Sequence, residues 1–287
     1  MFLAMEWFIL LFFILGVVVR LFLPGLMKYR KYLNKYLIYI GIPLLVFVSV
    51  TQKEIPFLKY LLFSITVAVI YILILYFIIS KLKLGAEDKA AAFMCSAFGN
   101  TAYFGIPFAY LLFGEIGGIV ASIFTVVLVA LHLTLGLFLA NTYLQKRTAV
   151  KKLLKQPFFW ILIATLIISR YDFSIPSIVG DIAHVGTYIA LFVIGTSLAW
   201  DYINKKTFGL SLFKFVVPPV VMAPFFFIFN ISEYLPFLLM ALTPSAFLNT
   251  VLAIEFDFND ELSSGITTIN SIIFMIGVAI LMVFFTT

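Results

Sequence analysis

Apolar stretches of about twenty residues follow one another along the chain, separated by short clusters of charge and turn residues. Cutting at those clusters gives ten segments: 3–24, 34–52, 58–80, 89–113, 117–141, 157–170, 178–200, 208–230, 235–256 and 264–286. Apolar runs of this length are what helices need to cross a hydrocarbon layer of about 30 Å. They do not break into alternating ~10-residue pieces, which argues against a membrane β-barrel. The pattern predicts an all-α polytopic membrane protein of ten transmembrane helices, spans 1 to 10. Span 6 is short and needs its flanks to complete a crossing. No loop is long enough for a soluble domain.

Composition agrees. Of 287 residues, 64% are hydrophobic and 11% charged, against about 25% charged in soluble domains. Mean hydropathy is +1.16. The single cysteine, Cys95, excludes an intramolecular disulfide. The net charge of +6 is read as orientation charge in loops, with no nucleic-acid partner. The first apolar run contains Glu6, lacks a basic lead and continues to Pro24, so it reads as a span and not as a signal peptide.

Loop charges predict sidedness. The odd-numbered loops hold Lys28, Arg30, Lys31 and Lys35; Lys81, Lys83 and Lys89; Lys146, Arg147, Lys151, Lys152 and Lys155; and Lys205, Lys206 and Lys214. The even-numbered loops and termini hold only Lys53, Lys59 and Arg170. Fifteen against three puts the odd loops inside and both termini outside a plasma membrane. The last inner loop, Asp257 to Glu261, departs from the trend: it is acidic and has no Lys or Arg.

One polar phrase occurs twice, SAFGNT at 96–101 and SAFLNT at 245–250, 149 positions apart. The first falls in span 4 and the second in span 9. Five spans is an odd number, so a tandem copy enters the membrane from the opposite side. The expectation is two inverted five-helix repeats, 1–142 and 157–287, joined by a basic linker at 143–156.

Both spans carry backbone breakers beside the phrase: Gly105 and Pro107 in span 4, Pro244 in span 9. A proline frees the carbonyl four residues back, here those of Tyr103 and Met240. In lipid such a group must find another partner. Asn100 and Asn249 add amides near mid-membrane, and a half-helix opening at Asn or Thr offers free N–H groups and a positive dipole end to an anion. Two opposed broken helices meeting at their breaks predict a small polar site built from Asn100, Thr101, Gly105, Pro107, Pro244, Ser245, Asn249 and Thr250. The plainer reading is packing, since Pro and Gly are common in membrane helices and Asn can bond a neighbouring helix. Two related sites at repeat-equivalent positions favour binding over packing.

The segments FGNTAYFGIPFAYLLFGEIG (98–117) and LTPSAFLNTVLAIEFDFNDELSSG (242–265), with IGIPLLVF (40–47), LKQPFFWILIA (154–164) and ALFVIGTSLA (190–199), resemble the auxin efflux carrier family and its prokaryotic organic-acid permeases. The resemblance spans nearly the whole chain. It implies ten helices in two inverted repeats, a fold related to bile-acid sodium symporters, and spans 4 and 9 crossing at their breaks. It also implies a scaffold of spans 1, 2, 6 and 7 with an elevator-like motion of the rest. Carried over by position, Asn100 and Asn249 hold a substrate carboxylate, and Pro107 and Pro244 open the helices.

His132 inside span 5 reads equally as a packing residue or as part of a proton or substrate route. Asp181 and His184 share a face near the outer end of span 7, where a solvated helix start is the plainer reading. No isolated acid stands in spans 2 or 3 to carry a coupling proton.

The expected function is secondary transport of small organic anions, with export favoured. The expected partners are the anion, the lipid bilayer and a coupling proton or sodium ion; a homodimer is left open. No cofactor is expected. A sodium-coupled symporter is the alternative, with carbonyls freed near Pro107 and Pro244 helping to bind the cation, and a channel is the third class. An enzyme is disfavoured: His132 and His184 lie 52 apart, and there is no G-x-S-x-G or Walker-type loop.

Overall fold

The computed structural model describes residues 2–41, 44, 47–48, 57–145, 160, 164 and 176–286. Much of the second part of span 2, most of span 6, and the linker bases Lys146, Arg147, Lys151, Lys152 and Lys155 lie outside the described residues, as do Lys53 and Arg170. Among the described residues the chain is helical, and its one β-type pairing is an isolated bridge.

In chain order, α1 is Phe2–Phe22, followed by a 3₁₀ turn Pro24–Tyr29, and α2 is Arg30–Tyr36, continuing as a π turn Leu37–Gly41. Next come α3 Phe57–Lys81 and α4 Ala86–Ala97. A π turn Thr101–Gly105 leads into α5 Ile106–Leu131, and a second, His132–Gly136, leads into α6 Leu137–Tyr143. The second half has α7 Ser177–Thr196 and α8 Lys205–Met222 with a 3₁₀ extension Ala223–Ile228. It ends with α9 Ile231–Leu242, α10 Leu248–Phe256 and α11 Asp260–Thr286. The change of helix type after α8 falls where Pro218, Pro219 and Pro224 remove successive N–H donors.

Among the described residues four stretches are long and apolar enough to cross a membrane: Leu58–Lys81, Thr101–Tyr143, Lys205–Ile228 and Asp260–Ile280. The bent pair Leu11–Phe22 and Pro24–Gly41 makes a fifth if counted as one span. The 43-residue stretch would be roughly 65 Å long, about twice the hydrocarbon thickness. It is broken at Gly114, whose φ of 64° and ψ of −151° lie outside the helical region. The protein is thus an integral, multi-pass, all-helical membrane protein. Leu62, Phe77, Phe138, Val220 and Phe227 are among its exposed large apolar side chains, a surface suited to lipid.

Two bodies of packing are evident. The larger core joins α3 to α6 with α8, α9, α10 and α11. At its centre stands α4, buried continuously from Ala90 to Ala97, where small side chains let neighbouring helices approach. The smaller cluster, Leu37, Ala190 and Val193, lies where α2 and its π turn meet α7; α1 packs on α7 as well, with Phe13, Leu191 and Ile194 belonging to the larger core. A Cβ on Gly16 would lie 2.2 Å from the Phe192 carbonyl oxygen, and one on Gly195 2.2 Å from that of Phe13. Only glycine permits this backbone approach.

The two ends carry different polar clasps. At one end Lys206 at the start of α8 pairs with Asp88 at the start of α4 at 2.5 Å, and Asn259 just before α11 donates to the same carboxylate at 2.7 Å. These loops are all odd-numbered, so the acidic loop beginning at Asp257 sits beside loop lysines despite its charge. At the other end Tyr60 and Lys59 of α3 donate to Glu233 of α9 at 2.6 and 3.1 Å. One assignment is corrected: Lys214, grouped above with the loop bases, lies within α8 and is 1% exposed.

Candidate functional site

The helix begun by α4 stops at Ala97, and Phe98 is extended (φ −113°, ψ 110°). Asn100 (φ −81°, ψ 62°) caps the turn that follows, its Oδ1 accepting from the Tyr103 N–H. The second interruption runs over Thr243 to Phe247, between α9 and α10. The two unwound stretches lie antiparallel, with Gly99 opposite Ser245. Asn100 N–H donates to the Pro244 carbonyl at 2.6 Å, and Ala246 N–H donates to the Phe98 carbonyl at 2.9 Å. Non-helical backbone inside a membrane protein must be satisfied by protein or water, and here each break satisfies the other. The approach requires glycine at 99: a Cβ there would lie 2.3 Å from Thr243 Oγ1 and 3.2 Å from the Thr243 carbonyl oxygen.

The first break does not lie at Pro107. That proline is the second residue of α5, beyond the π turn, where a missing N–H is tolerated. At the second break Pro244 does adjoin the interruption, and the Met240 carbonyl accepts the Thr243 hydroxyl at 2.8 Å.

The two asparagines of the doubled phrase hold different posts. Asn100 stands in the break as a helix cap, whereas Asn249 lies in the first turn of α10.

The predicted residues divide into those at the crossing and those beside it. Asn100, Thr101, Pro244, Ser245 and Asn249 come together there. Asn249 Nδ2 donates to the Phe98 carbonyl at 3.0 Å, and its Oδ1 is buried without a partner, as is Thr101 Oγ1. Ser245 Oγ donates to the Cys95 carbonyl and accepts from Asn270 Nδ2 at 2.8 Å. Gly105 packs on Met240 and Thr243. Thr250 turns toward α11, its hydroxyl 3.4 Å from Ser263 Oγ, and Pro107 stands apart. His132 stacks on Phe98 at 4.3 Å and 2° between planes, next to Asn249 and Lys214, and its Nε2 has no partner. Asp181 is exposed in α7, and the side chain of His184 lies outside the described residues.

Sequence reasoning missed two residues. Asn270 of α11 is fully buried with an unpartnered Oδ1; the polar stretch SSGITTINS (263–271) at the start of the last apolar segment was the available signal. Lys214 Nζ lies 3.0 Å from where a Cβ on Gly99 would stand. Burying an ammonium without a counter-charge costs on the order of several kcal/mol. Among the described residues no three His, Cys, Asp or Glu side chains gather to ligate a metal. The crossing is therefore a buried cluster of neutral dipoles, several with unspent capacity, beside one lysine.

A family model described as membrane transport protein matches residues 26–282, most of the chain. A search of curated proteins found no match.

Proposed function

The chain belongs to this membrane transport protein family, that of the auxin efflux carriers, and on that premise we propose that it is a secondary transporter of small organic anions, chiefly carboxylates, acting as an exporter. The observation that carries the reading is the Gly99–Ser245 bridge, which joins two interrupted helices beside buried polar atoms without partners. A folded protein leaves few such groups unpaired unless a ligand or water completes them. The Asn100 amide and the Thr101 hydroxyl form the donor side of the site. Asn249 secures the first break through Phe98 and keeps its second amide hydrogen for the carboxylate.

In this reading the chain has ten spans in two inverted repeats, 1–142 and 157–287, with both termini outside the plasma membrane. The scaffold is spans 1, 2, 6 and 7, past which the rest moves as an elevator. The packing of α1 and of α2 on α7 supports that division. Arg30 and Tyr103 lie along the seam: Arg30 Nη1 donates to the Thr196 carbonyl at 3.4 Å and its guanidinium lies 5.8 Å from the Phe247 ring centroid, while Tyr103 packs against the small core.

The test is counterflow in proteoliposomes, offering labelled acetate, malate, benzoate and indole-3-acetate in turn. Saturable exchange of at least one is expected, and its loss in Asn100→Ala. Currents that do not saturate would point to a channel, and absence of exchange for all four acids would reject the reading.

A further inference from the structure

We propose that Lys214 is the positive counter-charge of the substrate site, its ammonium binding the carboxylate of the transported anion at the helix crossing. The proposal rests on the carboxylate-transport reading above and adds the one charged group that reading lacked. Lys214 is 1% exposed, and its Nζ lies within contact distance of the first break at Gly99. Among the described residues no acid pairs with it. Three other described lysines have partners: Lys59 has Glu233, Lys206 has Asp88, and Lys89 donates to the Ser80 carbonyl at 2.8 Å.

The surroundings of Lys214 are neutral dipoles. The Asn249 Oδ1, the Thr101 hydroxyl and the His132 Nε2 around the crossing are buried and make no hydrogen bond of good geometry, and His132 stacks on Phe98 beside the first break. A lysine set among dipoles in low dielectric lacks only an anion, and a carboxylate at the crossing supplies it. The ligand then gains a charged contact that its neutral analogues cannot make. The same charge repels a second cation, so a sodium ion is disfavoured at the crossing and flux is expected to be independent of sodium.

The experiment uses the full-length protein in proteoliposomes and detergent, with whichever of the four acids exchanges. Lys214→Gln is expected to raise the apparent KM at least about tenfold and to erase the preference for that acid over its primary amide as a competitor. Lys214→Arg is expected to keep the preference. Lys214→Met is expected to melt no lower than wild type, because it removes a buried unpaired charge, while failing to exchange. An unchanged KM and acid preference in Lys214→Gln overturns the role of Lys214 and leaves the transport reading standing. A Lys214→Met protein that melts clearly below wild type marks a structural lysine and overturns it too. Flux that collapses when sodium is replaced by choline rejects the exclusion of a cation from the crossing. If wild-type protein exchanges none of the acids, the transport reading and this proposal fall together.

Discussion

The side-chain amide of Asn249 donates to the main-chain carbonyl of Phe98 at 3.0 Å, tying α10 to the interruption after α4. The same carbonyl receives the Ala246 N–H, so the break that opens one half of the chain is held by two donors from the other. Replacing the amide by a group without a donor removes one of them. Asn249→Ala is expected to cost about 1 kcal/mol of stability. Asn249→Asp is expected to cost more, about 3 kcal/mol, because it sets a carboxylate against a carbonyl oxygen in a buried site. Thermal unfolding in detergent checks the order; an aspartate variant as stable as the alanine variant contradicts it.

Gly99 is the point of closest approach. A methyl group there meets Thr243 Oγ1 and the Thr243 carbonyl, and the hydroxyl is held in place by its bond to Met240. Gly99→Ala should therefore destabilise by about 1–3 kcal/mol and abolish exchange, whereas Gly85→Ala, where nothing lies within 4 Å, should leave both intact. Paired melting and counterflow measurements decide it.

Much of this site was legible in the sequence because its ingredients are unusual in lipid. Asn, Pro and Gly in apolar runs marked both interrupted helices, and Asn100, Pro244 and Ser245 do meet, at a glycine, Gly99, that the sequence did not single out. The break was misplaced at Pro107 because a proline is equally at home in the first turn of a helix, and only the backbone distinguishes the two. The doubled phrase suggested that Asn100 and Asn249 are twins. Asn100 instead caps a turn inside the first break while Asn249 lies within α10, so identical letters fill different posts. Lys214 was counted with the loops because its position near a span boundary carries no information on depth; burial is set by α8 packing against α4 and α11.

The Gly16–Gly195 approach holds α1 against α7 with backbone atoms in contact. Leucine at either position forces the helices apart. Gly16→Leu or Gly195→Leu should lower the melting temperature and the yield of folded protein, and pairing the two should add little, since either alone already separates the helices. A double-mutant cycle in detergent measures this.

The Lys206–Asp88 pair is partly exposed, with the lysine side chain 46% accessible. Exposed pairs contribute little. Lys206→Ala is expected to change stability by less than about 1 kcal/mol and to leave exchange kinetics unaltered, in contrast to Lys214. Unfolding and counterflow run side by side give the comparison.

The central claim is that a carboxylate sits between the two interrupted helices. It is tested most directly by placing a thiol there, in a Cys95→Ser, Thr101→Cys protein, and timing its reaction with a small charged methanethiosulfonate. The account predicts that the transported acid slows labelling, with half-protection at the concentration that half-saturates exchange in the same variant. Labelling that proceeds at one rate with and without a saturating concentration of that acid would contradict it.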